Sequence, residues 1–169
     1  HRYSTGALNI EVPAIISNHP DLQKQAGWYN IPYYHLPVTP ETKAEQEAKM
    51  WNIIQHSKAD LVVLARYMQV LSEDMCKKLH GQAINIHHSL LPGFKGAKPY
   101  HQAYDKGVKL VGATAHYVSQ DLDEGPIITQ GVESVDHTYT PERLVAKGRD
   151  TERITLARAV KLHVEKRCF

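Results

Sequence analysis

What most limits the folds open to this chain is the regular exchange of short strand-forming runs with helix-starting signals. Residues 11 to 18 (EVPAIISN), 31 to 38 (IPYYHLPV) and 60 to 66 (DLVVLAR) are brief and rich in β-branched, aromatic or aliphatic side chains, which predicts strands. Between the last two, Thr39-Pro40-Glu41 offers a cap, a proline for the first helical position and an acid for the first turn, predicting a helix to about Ser57. The same grammar recurs at Ser72-Glu73-Asp74, which opens a short helix closed by Gly81, and at Thr140-Pro141-Glu142, which opens a long one towards the C-terminus with Gly148 as its weak point. Further strands are predicted at 83 to 88 (AINIHH), 110 to 118 (LVGATAHYV) and 126 to 135 (PIITQGVESV), the last two as a hairpin around a polar loop. Strands alternating with helices imply an α/β fold with a mostly parallel open sheet and an antiparallel edge hairpin.

Length and charge narrow the class further. A chain of 169 residues, 42% hydrophobic, suits one domain with its own core. Twenty basic and 18 acidic residues are interspersed, which argues against a nucleic-acid partner. Apolar runs stay short of the roughly 20 residues needed to span a bilayer, so a soluble cytoplasmic protein is the expectation. Cys76 and Cys168 lie far apart without a CxxC spacing and read as ordinary thiols. The 11 histidines raise a metal reading, but His80, His87, His88, His101 and His116 fit neither HExxH nor another ligand spacing, and no metal is expected. On a strand, adjacent His87 and His88 should face opposite ways, unsuited to chelating one ion.

In open α/β sheets ligands sit beyond the carboxyl ends of strands, so residues leaving each strand are the candidates. Alternation along 83 to 88 puts Asn85 and His87 on one face and Ile84 and Ile86 on the other. An amide donor two residues from an imidazole suits stabilisation of an oxyanion and movement of a proton, although a strand-end Asn and His serve more often as structural hydrogen-bonding groups. After them, Ser89 to Ala97 carries one Pro and two Gly residues that prescribe a tight path past the strand end. A second loop, Gln120 to Pro126, holds three carboxylates; such runs usually form a solvated turn, yet Asp123, ahead of Glu-Gly-Pro, is well placed to be held rigidly.

Asn85-Ile86-His87-His88-Ser89-Leu90-Leu91-Pro92, followed by Leu122-Asp123-Glu124-Gly125-Pro126-Ile127, resembles the formyltransferase-fold enzymes of folate metabolism. These include glycinamide ribonucleotide transformylase, methionyl-tRNA formyltransferase and the formyltetrahydrofolate deformylases. The resemblance implies a Rossmann-like fold and a catalytic Asn85, His87 and Asp123. It also makes Leu64 to Ser72 similar to the family's pterin-binding segment, with backbone groups of Met68, Gln69, Val70 and Leu71 facing the folate. The wording of Ser17-Asn18-His19, residues 31 to 38 and residues 97 to 104 is similar to the deformylase branch. By that resemblance residues 1 to 169 form the catalytic domain. The family's first strand would lie before His1 along with an ACT-like regulatory domain, and a terminal strand would follow Phe169. Without the first strand, pairing edges would be exposed and the isolated stability of the chain lowered.

The implied activity is hydrolysis of 10-formyltetrahydrofolate to tetrahydrofolate and formate, feeding purine synthesis and balancing the one-carbon pool, with folate as substrate, no prosthetic group and a homo-oligomer as the full-length form. Asn85 and a protonated His87 would receive the charge of the tetrahedral intermediate, while Asp123 would favour the imidazolium, orient water and relay protons. Two alternatives stay open: formyl transfer to an amine such as glycinamide ribonucleotide, and a folate-binding regulatory module that has kept the fold without turnover.

Overall fold

The computed structural model describes residues 2–93 and 99–168, and its chain divides into two compact units. Asn9–Val62 forms one of them. In it β1 (Ile15–Ser17) pairs in parallel with β2 (Tyr33–His35), Ile15 opposite Tyr33, with α1 (Gln23–Trp28) between them in the chain and α2 (Lys43–His56) after. Both strands are shorter than the sequence predicts. Prolines explain part of this: Pro13, Pro32 and Pro37 lack the N–H a ladder needs, and Pro32 contributes only its carbonyl, which accepts from Ile15 N at 2.8 Å.

Helix α2 also begins later than its Thr-Pro-Glu signal suggests. Thr39 and Thr42 first close a turn on each other, Thr39 N donating to Thr42 Oγ1 at 2.9 Å and Thr42 N to Thr39 O at 3.2 Å, so the cap position passes to Thr42. The side chain of Thr42, engaged in that turn, caps nothing in the helix.

The other unit, which includes Val63 onward, is built on a four-stranded sheet in the order β3 (Val62–Leu64), β4 (Ala83–His87), β5 (Leu110–Tyr117), β6 (Ile127–Ser134). The hairpin of β5 and β6 stands at the sheet's edge, as the sequence implies. Antiparallel pairing reaches one strand further inward, because β5 also runs antiparallel to β4. Helices α3 (Glu73–Lys78), α4 (Pro99–Asp105) and α5 (Pro141–Val164) complete this unit. Ser72 caps α3 by accepting from Met75 N, with Glu73 and Asp74 in the first turn and Lys77 and Lys78 in the last, all matched to the helix dipole. Thr140 caps α5 in the same way, accepting from Arg143 N, with Pro141 in its first turn.

Far from breaking at Gly148, α5 runs unbroken for 24 residues and packs along β4, β5 and β6. Gly148 serves closeness instead of flexibility: a Cβ there would lie 2.0 Å from Cζ of Tyr100, so only glycine admits that ring. Around Tyr100, the residues Ala103, Val111, Val135 and Leu144 form a buried apolar cluster. Neither α1 nor α4 is foreseen in the sequence. Each is too short, at six and seven residues, for a 3.6-residue period to register.

Candidate active site

Strand β4 carries the first two candidates. Asn85 lies opposite His116 of β5 and His87 opposite Thr114, so the four side chains share one face of the sheet. The β5–β6 register shifts between Ala115 and His116, an irregularity of the sort that re-aims side chains beside functional sites.

Thr114, fully buried, ties down the chain as it leaves β4. Its hydroxyl donates to Ser89 O at 2.8 Å and accepts from Leu91 N at 3.0 Å and from Gln130 Nε2 at 2.9 Å. Ser89 Oγ donates to Gly93 O at 2.8 Å, and the Leu91–Pro92 peptide is cis. The tight path read from Ser89 to Ala97 is thus present to Gly93, while Phe94 to Lys98 lie outside the described residues.

The polar loop supplies the third candidate. Asp121 and Glu124 are exposed, but the Asp123 side chain is only 9% exposed. Asp123 adopts a left-handed φ of +57°, a conformation that Asp tolerates better than most residues. Just beyond it Gly125 presses against the backbone of β5, where a Cβ would fall 1.7 Å from the Tyr117 carbonyl oxygen. Tyr117 N donates to Pro126 O at 2.9 Å and closes the loop.

These elements bring all three residues together. Asp123 Oδ2 lies 3.2 Å from His87 Nδ1, and Asp123 Oδ1 lies 3.5 Å from Asn85 Nδ2. A carboxylate on Nδ1 fixes which ring nitrogen carries the proton and leaves proton transfer to Nε2. The cluster lies deeper than a solvent-facing site would, since the His87 side chain is only 6% exposed.

A fourth member, His116, is one of the histidines for which the sequence offers no role. Its Nδ1 donates to the Tyr117 carbonyl at 2.8 Å, which turns Nε2 toward Asn85 Nδ2 at 3.4 Å and Asp123 Oδ1 at 3.5 Å. Neutral, Nε2 accepts from the Asn85 amide; protonated, it donates to Asp123. The available signal was its position two residues after Thr114, on the strand leading into the Asp123 loop.

Met68, Gln69, Val70 and Leu71 lie between β3 and α3, and β3 is β4's neighbour in the sheet. Met68 and Val70 are exposed, while Leu71 is buried and anchors the segment. Arg66, at a φ of +53°, turns the chain out of β3, and its guanidinium and the Asp123 carboxylate both act on His88. Among the described residues, no group of three His, Cys, Asp or Glu side chains is arranged to hold a metal ion. His87 and His88 do not diverge as an unbroken strand would require: β4 ends at His87, and the two rings tilt together with centroids 5.2 Å apart.

Residues 1–160 match the sequence model of a protein family described as formyl transferase. The chain belongs to the formyl transferase family. Among its relatives in that family, the formyltetrahydrofolate deformylase of Corynebacterium sp. strain P-1 is 56% identical over 99% of this chain, and that of Escherichia coli K12 is 46% identical over 97%. In both, the match covers 59% of the relative's length. The crystal structure of a Pseudomonas putida KT2440 formyltetrahydrofolate deformylase superposes with a TM-score of 0.93 at 63% identity, covering 99% of this chain and 60% of that one. A phosphoribosylglycinamide formyltransferase from Bacillus halodurans superposes at 0.89 with 30% identity, over 98% of this chain and 87% of its own. This formyl transferase chain thus spans about three-fifths of the length of the deformylases it matches.

Proposed function

We propose that this chain hydrolyses 10-formyltetrahydrofolate to tetrahydrofolate and formate, with Asn85, His87 and Asp123 performing the chemistry. The observation that carries the reading is the meeting of His87 and Asp123 at 3.2 Å in a chain whose likeness to deformylases, at 46% to 63% identity, exceeds its 30% likeness to a ribonucleotide formyltransferase. Water attacks the formyl carbon and yields its proton to Asp123, which sits beside the imidazole that shares its charge. The carbonyl oxygen becomes an oxyanion met by the Asn85 amide and the protonated His87. The amide's contacts at 3.4 and 3.5 Å are at the long limit of hydrogen bonding and are readily exchanged for a stronger one to that charge. As the C–N10 bond breaks, His87, held as an imidazolium, gives its Nε2 proton to N10 and formic acid leaves, ionising to formate; the proton taken up by Asp123 then returns the ring to the imidazolium.

With 10-formyltetrahydrofolate and no added amine, the purified protein is expected to release formate and tetrahydrofolate in equal amounts. Negligible formate alone, with rapid transfer once glycinamide ribonucleotide is supplied, would replace hydrolysis by formyl transfer on the same residues.

Folate binding falls to Met68, Gln69, Val70 and Leu71, chiefly through their backbone groups, a reading supported by the exposure of Met68 and Val70 beside the strand that flanks β4. Gln69→Ala is expected to change KM by no more than about two- to threefold. Leu71→Pro, which removes an N–H and constrains φ, should abolish binding. The reverse pattern in a folate titration would assign recognition to side chains. The same reading puts the enzyme in the cytoplasm as a homo-oligomer whose formate enters purine synthesis. No helix among the described residues is long and apolar enough to cross a membrane.

A further inference from the structure

His88 takes no part in the chemistry above, yet its ring rests against His87. The two ring centroids lie 5.2 Å apart with planes 31° from parallel, and His88 also meets the ring of Tyr100 at 6.1 Å and 42°. Both distances fall where aromatic rings attract. Tyr100 is itself locked. It is 6% exposed, its ring fills the space that Gly148 leaves open, and its hydroxyl donates to Glu152 Oε1 at 3.0 Å. Glu152 is only 8% exposed on α5, so the long helix anchors Tyr100, and Tyr100 in turn backs His88.

His88 meets the rings of His87 and Tyr100, and the charges that act on it come from His87 of β4, Asp123 of the β5–β6 loop, Glu152 of α5 and Arg66 after β3. Burial first, and then the nearby charge of His87, hold the His88 imidazole below its ordinary pKa; Arg66 acts in the same sense, Glu152 and Asp123 in the opposite one. A ring kept neutral in this way supports a catalytic imidazolium without adding like charge beside it.

We propose that His88 is a positioning residue for His87: wedged between Tyr100 and His87, its ring holds the His87 imidazole in the orientation that meets Asp123. The kinetic half of the test rests on the deformylase reading, and the spectroscopic half does not. His88→Ala is expected to lower kcat about 10- to 10²-fold while KM stays within about threefold, as when a catalytic group is displaced and binding is retained. His88→Phe, which restores a ring but no nitrogen, is expected to recover most of kcat. By NMR, the Nδ1–H proton that His87 directs at Asp123 should be visible in the wild type and in His88→Phe, and lost to exchange in His88→Ala. If His88→Ala fails to fold by circular dichroism, His88→Leu, which fills the volume without an aromatic face, replaces it with the same expectations.

Wild-type kcat in the ring-less variant, or a His87 proton that persists in it, would overturn the proposal. So would His88→Phe being as slow as His88→Ala, which would assign His88 a role through its nitrogens. If the wild type releases no formate, the deformylase reading fails, and the NMR comparison alone decides the role of His88.

Discussion

His87→Ala is expected to reduce kcat for formate release by at least about 10²- to 10³-fold, the usual cost of removing a preorganised donor at a developing oxyanion. In the proposed mechanism His87 also gives the proton to N10, so its loss should exceed that of Asn85→Ala. Asp123→Ala should fall between them, since it leaves His87 in place but takes away the group that fixes its proton on one nitrogen. The three residues form one connected cluster, so a double variant should be little worse than the poorer single one. Steady-state assays on variants whose circular dichroism matches the wild type would check this. Turnover within about threefold of wild type in any single variant would remove that residue from the chemistry.

Gly125→Ala should have an effect of similar size on turnover although Gly125 carries no functional group. The new methyl would sit 1.7 Å from the Tyr117 carbonyl oxygen, and that oxygen belongs to a sheet strand and cannot swing aside as a side-chain tip would. Either the Tyr117 N to Pro126 O bond breaks, or the loop lifts and carries Asp123 away from His87. Overpacking of this kind costs about 1–3 kcal/mol of stability, and a shift of about 1 Å at a catalytic group costs on the order of 10² in rate. Thermal melting and kcat would be measured together. An alanine variant with wild-type melting and turnover would mean the loop closes around Asp123 without needing this close approach.

Where local chemistry dictates structure, the sequence was readable. Ser72 and Thr140 cap helices as their neighbours suggest, because capping depends only on residues within one turn. Asn85 and His87 emerge on one face because a strand alternates whatever its surroundings. What escaped the sequence depends on residues distant along the chain. His116 becomes part of the site through its register against Asn85, 31 residues away, and through the carbonyl that fixes its ring. Gly148 reads as a helix breaker until Tyr100 is seen filling the space beside it. His88 looked like the outward member of an alternating pair, and it is not, because the strand stops one residue before it. The late start of α2 has a subtler origin, two threonines that satisfy each other before either can cap.

Asp123 reaches the site on the loop joining β5 to β6, and β6 stands last in the sheet order. Among the described residues β6 pairs along its length with β5 and packs on α5. The carboxylate that serves His87 is therefore hung from a hairpin, and any local opening of that hairpin withdraws it while the rest of the sheet still stands. A folate seated against the cluster, by holding the loop closed, would then protect β6 amides far from its own contacts.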